Sequence, residues 1–239
     1  MVQRLYPGAM TASEATQRLL AFARGKFGLE PKQIVLADSI CGDDLNEEQY
    51  PAEAHQMVGP FRLGGLNGFP FTGLTGMGAL SHHVPKGGAV TIFYGPHIGV
   101  RRQGAGAVLR PGQKTASACC GAAQAALGKL DKLKPGKPST LDYQMGTIEQ
   151  ILLKEKSRIQ GAKVPIMEAT DVMFEAITKR IQLLVDRTDF QGAPVVLMGG
   201  ILINGDHPQG SFTQIKAVDI VDTKTGQCSN WLDRYLTFC

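Results

Sequence analysis

The stretch AVTIFYGPHIGV, at residues 89–100, decides the fold more than any other part of the chain. Residues 90–94 are mostly β-branched or aromatic, which is typical of a short buried strand. Pro96 has no N–H to donate to a sheet, so the strand is predicted to end before it. His97 is therefore expected just past the carboxyl end of a buried strand, and ligands of open α/β sheets bind at that edge.

Helices and strands alternate on both sides of this strand. Thr11 and Glu14 match a capping box, which predicts a helix that runs to about Gly25. Further helices are predicted over 47–58, 117–130, 145–160 and 165–186, and further strands over 33–37, 194–204 and 212–222. This alternation predicts an α/β fold, with a mainly parallel β-sheet flanked by helices.

The composition is that of an ordinary globular protein. The chain has 239 residues, of which 43% are hydrophobic and 19% charged, and residues 1–239 are interpreted as a single domain. No run of about 18 apolar residues is present, so no membrane association is expected. The 25 basic and 21 acidic residues are well mixed, without a basic block, so no nucleic-acid partner is expected.

The cysteines indicate free or metal-bound thiols. Their number, five, is odd, and the adjacent Cys119 and Cys120 do not suit an ordinary disulfide framework. The N-terminus lacks the apolar core of a signal peptide. These features predict a cytoplasmic protein, or one of an organelle stroma if the chain is a trimmed precursor.

Three soft metal ligands are predicted to meet at the edge of the sheet. Cys41 follows the first predicted strand, His97 follows residues 90–94, and Cys120 lies at the start of a predicted helix. One histidine and two cysteines around an open position describe a catalytic zinc site. The wide spacing of the three residues makes this only a moderate signal, and His82 or His83 is a rival source of the nitrogen ligand.

A second hypothesis is a nucleophilic cysteine. The start of a helix stabilises a thiolate, so Cys119 or Cys120 could act as a nucleophile with His97 or His83 as its base. Residues 59–112 do not separate the two hypotheses. They hold nearly half of the 29 glycines, interspersed with apolar side chains, which predicts loops wrapped around something small.

Five short segments carry a resemblance to a known family: ADSICGDDLN (37–46), FRLGGLNGFP (61–70), SHHVP (81–85), YGPHIG (94–99) and CCGA (119–122). From about residue 36 to residue 204 the chain resembles the LCIB-type (limiting-CO2-inducible B/C) proteins, which are related to β-carbonic anhydrases. Cys41 and Asp43 match the Cys-x-Asp-x-Arg segment of those enzymes. His97 and Cys120-Gly121 match their His-x-x-Cys-Gly segment, with an insertion between them.

The resemblance implies a β-carbonic-anhydrase-like fold and a zinc enzyme that interconverts CO2 and bicarbonate. Cys41, His97 and Cys120 would hold Zn2+ and leave one position for water. A homodimer is expected by the same analogy. The alternative within the family is a catalytically silent zinc-binding scaffold or bicarbonate sensor.

The resemblance also implies a carboxylate–arginine pair beside the metal. Leu45 stands where the arginine of the Cys-x-Asp-x-Arg segment would be, so another arginine must orient Asp43. Arg62 is the candidate, because glycines follow it closely and a guanidinium can hold a carboxylate in a bidentate fork. Arg101 and Arg102 are the substitutes if Arg62 is not the partner.

Other roles are assigned to the glycine-rich stretch. Phe61, Leu66 and Phe69 are the candidates for an apolar CO2 pocket. His83, or its neighbour His82, is the candidate for carrying the proton out of the site.

Overall fold

The structure of the protein, a computed structural model, describes residues 1–46, 50 and 52–237. The helices are α1 (Val2–Leu5), α2 (Ala12–Phe27), α3 (Gly73–Ser81), α4 (Gly121–Gly128), α5 (Tyr143–Lys154), α6 (Lys156–Gly161), α7 (Pro165–Asp186) and α8 (Leu232–Leu236). The strands are β1 (Met10–Thr11), β2 (Ile34–Ser39), β3 (Val58–Arg62), β4 (Ala89–Tyr94), β5 (His97–Arg101), β6 (Gly104–Ala105), β7 (Ala107–Val108), β8 (Ser117–Ala118), β9 (Val195–Gly205), β10 (Ser211–Asp222) and β11 (Gln227–Asn230).

The described strands form one large mixed sheet and a small hairpin of β7 and β8. The order across the large sheet is β1-β10-β9-β4-β2-β3, and β5 lies beside the second half of β9. The edge strand β3 and the central strands β2, β4 and β9 run parallel, while β10 pairs antiparallel with β9. The predicted α/β class, with a mainly parallel sheet flanked by helices, is confirmed.

The strand β9 is long enough to carry two partners in succession. Val195–Gly199 pairs with β4, and the following half pairs with β5, in the register His97 to Leu202. Between β4 and β5 the chain passes very close to β9, because a Cβ atom on Gly95 would lie 1.7 Å from the carbonyl oxygen of Gly200. Only glycine fits there. Gly95 therefore fixes the break between β4 and β5, and this break determines where His97 lies.

Helices cover both faces of the sheet because successive side chains of a strand point to opposite faces. In β4, Val90 and Ile92 pack in the cluster that contains the inward side chains of α7. Phe93, between Ile92 and Tyr94, packs in the cluster that contains the inward side chains of α2. The central strands are therefore buried on both sides, and polar groups are accessible only at their ends.

Several predicted elements are confirmed closely. The Thr11 side chain accepts a hydrogen bond from the Glu14 N–H (3.2 Å) at the start of α2. The helix predicted over 165–186 is α7, Pro165–Asp186, and the strands predicted over 194–204 and 212–222 are β9 and β10 within one residue at each end. In each of these segments the local pattern and the tertiary environment favour the same structure.

Other predicted elements need correction. His97 lies just past the end of β4, as predicted, but it also begins a strand that the sequence does not predict, β5, because the chain resumes the sheet after Gly95-Pro96. The helix predicted over 47–58 is wrong in its described part, where Ala52–Gln56 is a short 3-10 turn and Val58 begins β3. Residues 47–49 and 51 of that prediction lie outside the described residues. None of the helices described is both long and apolar enough to span a membrane.

Candidate metal centre

Three buried ligand residues meet at the carboxyl edge of the parallel strands. Cys41 lies two residues after β2, His97 begins β5, and Cys120 is the residue that precedes α4. One ligand atom from each lies within 4.8 Å of the other two, and the three side chains are buried. The structure therefore brings together the three residues that the sequence proposes as metal ligands.

The loop that follows β3 holds Cys41 in place. The Asn67 backbone N–H donates a hydrogen bond to the Cys41 Sγ atom (3.2 Å), and the Ser39 hydroxyl donates one to the Gly68 carbonyl (2.9 Å). A Cβ on Gly64 would lie 2.2 Å from the Ile40 carbonyl oxygen. The glycine-rich loop thus packs directly against the backbone that carries Cys41, which glycine alone permits.

The histidine ligand is oriented by an asparagine. Asn204 Nδ2 donates to the Leu45 carbonyl (3.0 Å), which leaves Asn204 Oδ1 to accept a hydrogen bond from His97 Nδ1 (2.9 Å). In the neutral ring, which a metal ion requires, this contact places the proton on His97 Nδ1 and the lone pair on Nε2. Nε2 is buried and has no hydrogen-bond partner in the described part of the chain, so it is free to bind a metal ion.

The rival histidines lie elsewhere. His82 and His83 are exposed at the end of α3, where His83 Nδ1 lies 2.7 Å from the Ala79 carbonyl oxygen. The His83 ring packs on Phe61, with ring centroids 5.3 Å apart. Neither histidine belongs to the group formed with Cys41, so His97 is the nitrogen ligand that the geometry supports.

The three groups share protons when no cation neutralises them. The neighbouring Cys120 thiol and His97 lower the pKa of Cys41 to about 4 in spite of its burial. The Cys41 sulfur and burial raise the pKa of Cys120. Burial by itself would lower the pKa of His97, but the surrounding sulfur atoms raise it well above its usual value. A metal ion that binds here must displace protons from this cluster.

Asp43 is the carboxylate beside the ligands, and its partner is Arg110. Arg110 Nη1 and Nη2 donate to the two carboxylate oxygens of Asp43, each over 2.9 Å. Arg110 also pairs with Asp44. Burial raises the pKa of Asp43, but Arg110 and the Leu45 N–H outweigh it and hold that pKa below its usual range. Asp43 is therefore an oriented anion.

The prediction that Arg62 pairs with Asp43 is wrong. Strand β3 lies parallel to β2 with Arg62 opposite Asp38, and Arg62 Nη1 accordingly donates to Asp38 Oδ2 over 2.5 Å. The substitute Arg101 is also not the partner, because it pairs with Asp206. Arg110 lies in a loop after β7, and nothing in the local sequence indicates its contact with Asp43.

A cavity of about 410 Å³ opens onto the ligands. Cys41, Asp43 and Cys120 line it together with Leu66 and Gln144. Leu66, which the sequence proposes as a pocket residue, therefore lines this cavity. The predicted pocket residues Phe61 and Phe69 are not part of this lining, because Phe61 packs on His83 and Phe69 packs on Phe71, with ring centroids 5.0 Å apart.

A second cavity, of about 400 Å³, shares Cys41, Gly42 and Asp43 with the first. It is lined by Cys41 and by the carboxylates Asp38, Asp43 and Asp44, with the Arg62 side chain at its wall. His83 lines neither cavity, and its proposed role in carrying protons stays a prediction.

The donor set fits a zinc ion. Two thiols and one imidazole are the ligands that zinc prefers, and catalytic zinc sites use three protein ligands. The buried His97 Nε2 atom has no hydrogen-bond partner among the residues that the structure describes, and a metal ion held with Cys41 and Cys120 would satisfy it. Zinc would also remove the need for protons on Cys120 and His97.

Asn204 is a functional candidate that the sequence does not indicate, and it contacts Cys119, which the sequence proposes only as a possible nucleophile. The Cys119 thiol donates to Asn204 Oδ1 (3.4 Å), and its sulfur lies 3.5 Å from His97 Nδ1. Asn204 is 1% exposed and ties the histidine to the segment that follows Asp43. Nothing in the sequence marks an asparagine near the end of β9 as the partner of a residue 107 positions earlier.

We expect Asn204→Ala to weaken zinc binding about 10- to 100-fold, because outer hydrogen bonds orient ligand histidines and fix their tautomer. Competition with a chromophoric chelator measures the affinity. Asn230→Ala is the matched control, since the Asn230 side chain bonds to Asp219 and to the Leu232 N–H at the edge pair of β10 and β11, and to none of the three ligands. Equal zinc affinity in Asn204→Ala and Asn230→Ala would show that Asn204 does not orient the ligand.

Comparisons with known proteins concern the sequence and the fold. A sequence profile of the family described as limiting CO2-inducible proteins B/C beta carbonic anhydrases matches residues 9–222. The chain is similar to the crystal structure of PtLCIB4, a homolog of the limiting CO2-inducible protein LCIB, with 27% identity, a TM-score of 0.83, and coverage of 96% of this chain and 97% of that one.

A second similar structure is that of the limiting CO2-inducible protein LCIB itself. The identity is 20%, the TM-score is 0.71, and 95% of each chain is covered, so this likeness concerns the fold. Among curated proteins no match was found.

Proposed function

The chain belongs to the family of limiting CO2-inducible proteins B/C beta carbonic anhydrases, and on this premise we propose that it hydrates CO2 reversibly to bicarbonate and a proton. The observation that carries the proposal is the buried group of Cys41, His97 and Cys120 beside an oriented Asp43. The two thiols and the imidazole would hold zinc. A zinc ion supplies a Lewis acid that lowers the pKa of a bound water to about 7.

Asp43 positions the nucleophile. Its carboxylate is fixed by the Arg110 fork and is kept ionised, so it accepts a hydrogen bond from the attacking water and aims the oxygen lone pair at CO2. Arg110 also keeps this anion from approaching the metal. Without that restraint, a carboxylate two residues from Cys41 would compete for the position that the water needs.

The cavity beside Leu66 supplies a place for CO2. Leu66 and Ala122 give it an apolar wall, and CO2 has no hydrogen-bond donor to satisfy there. The proton leaves toward solvent. His83 stays a proposed carrier, although it would have to act from outside the two cavities that meet Cys41.

We also propose a homodimer in a reducing compartment, the cytoplasm or an organelle stroma. The large apolar side chains Leu74, Leu141 and Tyr143 are exposed and would be covered by a partner chain. The described cysteines are all free, as a reducing compartment maintains them.

The test is CO2 hydration measured by stopped flow with a pH indicator. Zinc-loaded protein is expected to hydrate CO2 well above the buffer rate, to lose this activity when a chelator removes the metal, and to regain it with added zinc. The competing function is a silent zinc-binding scaffold or bicarbonate sensor. Protein with one zinc ion per chain and only the buffer rate would establish that alternative.

A further inference from the structure

Gln144 presents a free amide donor in the cavity that opens onto the ligands. The residue is the second of α5, is half-buried, and lines the cavity of about 410 Å³ together with Cys41, Asp43 and Cys120. In the described part of the chain its Nε2 group makes no hydrogen bond, and this atom is not closed off from solvent. Among the described residues that line this cavity, Gln144 alone carries an N–H donor on its side chain.

The glycine-rich loop fixes which way the amide points. Gln144 Oε1 accepts a hydrogen bond from the Leu66 backbone N–H (2.9 Å). A flipped amide would set its NH2 group against that N–H, so Nε2 is the donor that remains for a ligand. The two segments approach closely because Gly65 has no side chain, and a Cβ atom there would lie 2.5 Å from Gln144 Oε1.

The same loop ties this amide to the metal centre. The Leu66 N–H binds Gln144, and the next N–H along the chain, that of Asn67, binds the Cys41 Sγ atom (3.2 Å). Neighbouring Cα atoms of a chain are about 3.8 Å apart. Adjacent residues of one loop therefore hold the Gln144 amide and the Cys41 sulfur, and both side chains line the same cavity. A small molecule that fills the space beside Cys41 can reach Nε2.

The chemistry of this donor selects the ligand. Because Oε1 is occupied, Gln144 offers only N–H groups and so recognises an acceptor oxygen. Bicarbonate presents anionic oxygens, and a hydrogen bond to an ionised acceptor is about twice as strong as one to a neutral acceptor such as CO2. The one carboxylate in the lining, Asp43, is paired with Arg110 and does not leave an unpaired negative charge beside the ligand.

We propose that Gln144 binds bicarbonate in this cavity, with Nε2 donating a hydrogen bond to a bicarbonate oxygen. This inference rests on the proposed function, which makes bicarbonate a reactant. As CO2 is hydrated, its oxygens gain negative charge, so a donor that is already fixed in position binds the product more strongly than the substrate. Gln144 therefore determines the affinity of the site for bicarbonate.

The test substitution is Gln144→Glu, because glutamate keeps the length of the side chain and an oxygen for the Leu66 N–H while it replaces the NH2 group by a carboxylate oxygen. Gln150→Glu is the matched control. It adds the same charge to the same helix, where Gln150 bonds to the backbones of Gly136 and Lys134 and lines neither cavity at the ligands. Gln144→Met is the second variant, which removes the donor without adding charge.

The measurement is the bicarbonate dissociation constant, read from the visible absorption of cobalt-loaded protein and from titration calorimetry. Gln144→Met is expected to weaken bicarbonate binding about tenfold, the loss of one hydrogen bond to an anion. Gln144→Glu is expected to weaken it further, because its carboxylate repels the ligand. Gln150→Glu should stay within about twofold of the wild type, since its charge is screened by solvent. The cobalt spectrum without bicarbonate should be unchanged in every variant.

Three results would overturn the inference. One is a wild-type dissociation constant in Gln144→Met, even if Gln144→Glu binds more weakly, because the added charge alone would then account for the loss. Another is a cobalt spectrum that changes in Gln144→Met before bicarbonate is added, which would make the residue a support for the loop that holds Cys41. The third is an absence of bicarbonate binding by the wild type. If bicarbonate binds through Gln144 but CO2 is not hydrated, the inference stands and the proposed activity fails.

Discussion

Alanine at Cys41, His97 or Cys120 is expected to reduce bound zinc from about one ion per chain to a small fraction, and CO2 hydration to the buffer rate. Each of the three supplies one ligand atom within 4.8 Å of the other two. No fourth thiol or imidazole replaces a lost one, because in the described chain Cys119 faces Asn204 and His97 Nδ1 rather than the open side of the group. Two remaining ligands hold zinc too weakly for purification.

Two matched controls accompany this prediction. Cys228→Ala removes an exposed thiol on the edge strand β11, and His83→Ala removes the exposed imidazole that packs on Phe61. Both should retain about one zinc ion per chain, and Cys228→Ala should also keep its CO2 hydration activity to within about twofold. His83→Ala serves as a control for metal binding alone, because His83 is the proposed proton carrier. Elemental analysis by plasma mass spectrometry gives the stoichiometry. A site emptied by His83→Ala and still filled in His97→Ala would show that the nitrogen ligand is wrong.

The metal ligands could be found from the sequence because they follow local signals. Gly95-Pro96 interrupts a strongly patterned strand directly before His97, and an apolar run ends just before Cys41. The ends of parallel strands meet at one edge of a sheet, so residues far apart in the chain are predicted to converge there. The sequence also indicated the start of α4 at Cys120. All three positions can be predicted without knowing the conformation of any loop.

The partners of the site could not be found in the same way. The Asp43–Arg110 and His97–Asn204 contacts join residues 67 and 107 positions apart. Arg62 looked suitable because glycines follow it, but its place on a parallel strand sets it opposite Asp38. Strand register and loop conformation decide these contacts, and neither leaves a pattern in the local sequence.

The contact between the Asn67 backbone N–H and Cys41 was equally hidden. The sequence around it, LGGLNGFP, predicts only a glycine-rich turn, and an asparagine is common at positive φ. Its importance depends on burial beside Cys41, which tertiary packing alone provides. A residue that holds a ligand through its backbone N–H can therefore be identified from the structure but not from the sequence.

Arg110→Ala is expected to keep the fold and the zinc but to lower CO2 hydration on the order of 100-fold, the cost of a misplaced catalytic group. Arg110 is the bidentate partner of Asp43, so its removal frees a carboxylate two residues from the ligand Cys41. The freed carboxylate can turn toward the metal and occupy the position that water needs. Arg110→Lys should recover little activity, since an ammonium group cannot reproduce the planar fork.

Arg62→Ala is the matched control for Arg110→Ala, because the Arg62 side chain is 56% exposed and pairs with Asp38 instead of Asp43. It should hydrate CO2 within about threefold of the wild type, as expected for an exposed ion pair. Stopped-flow rates measure the loss, and the cobalt spectrum reports whether Asp43 has joined the metal in Arg110→Ala. Full activity in Arg110→Ala together with a large loss in Arg62→Ala would reverse the assignment and return the orienting role to Arg62.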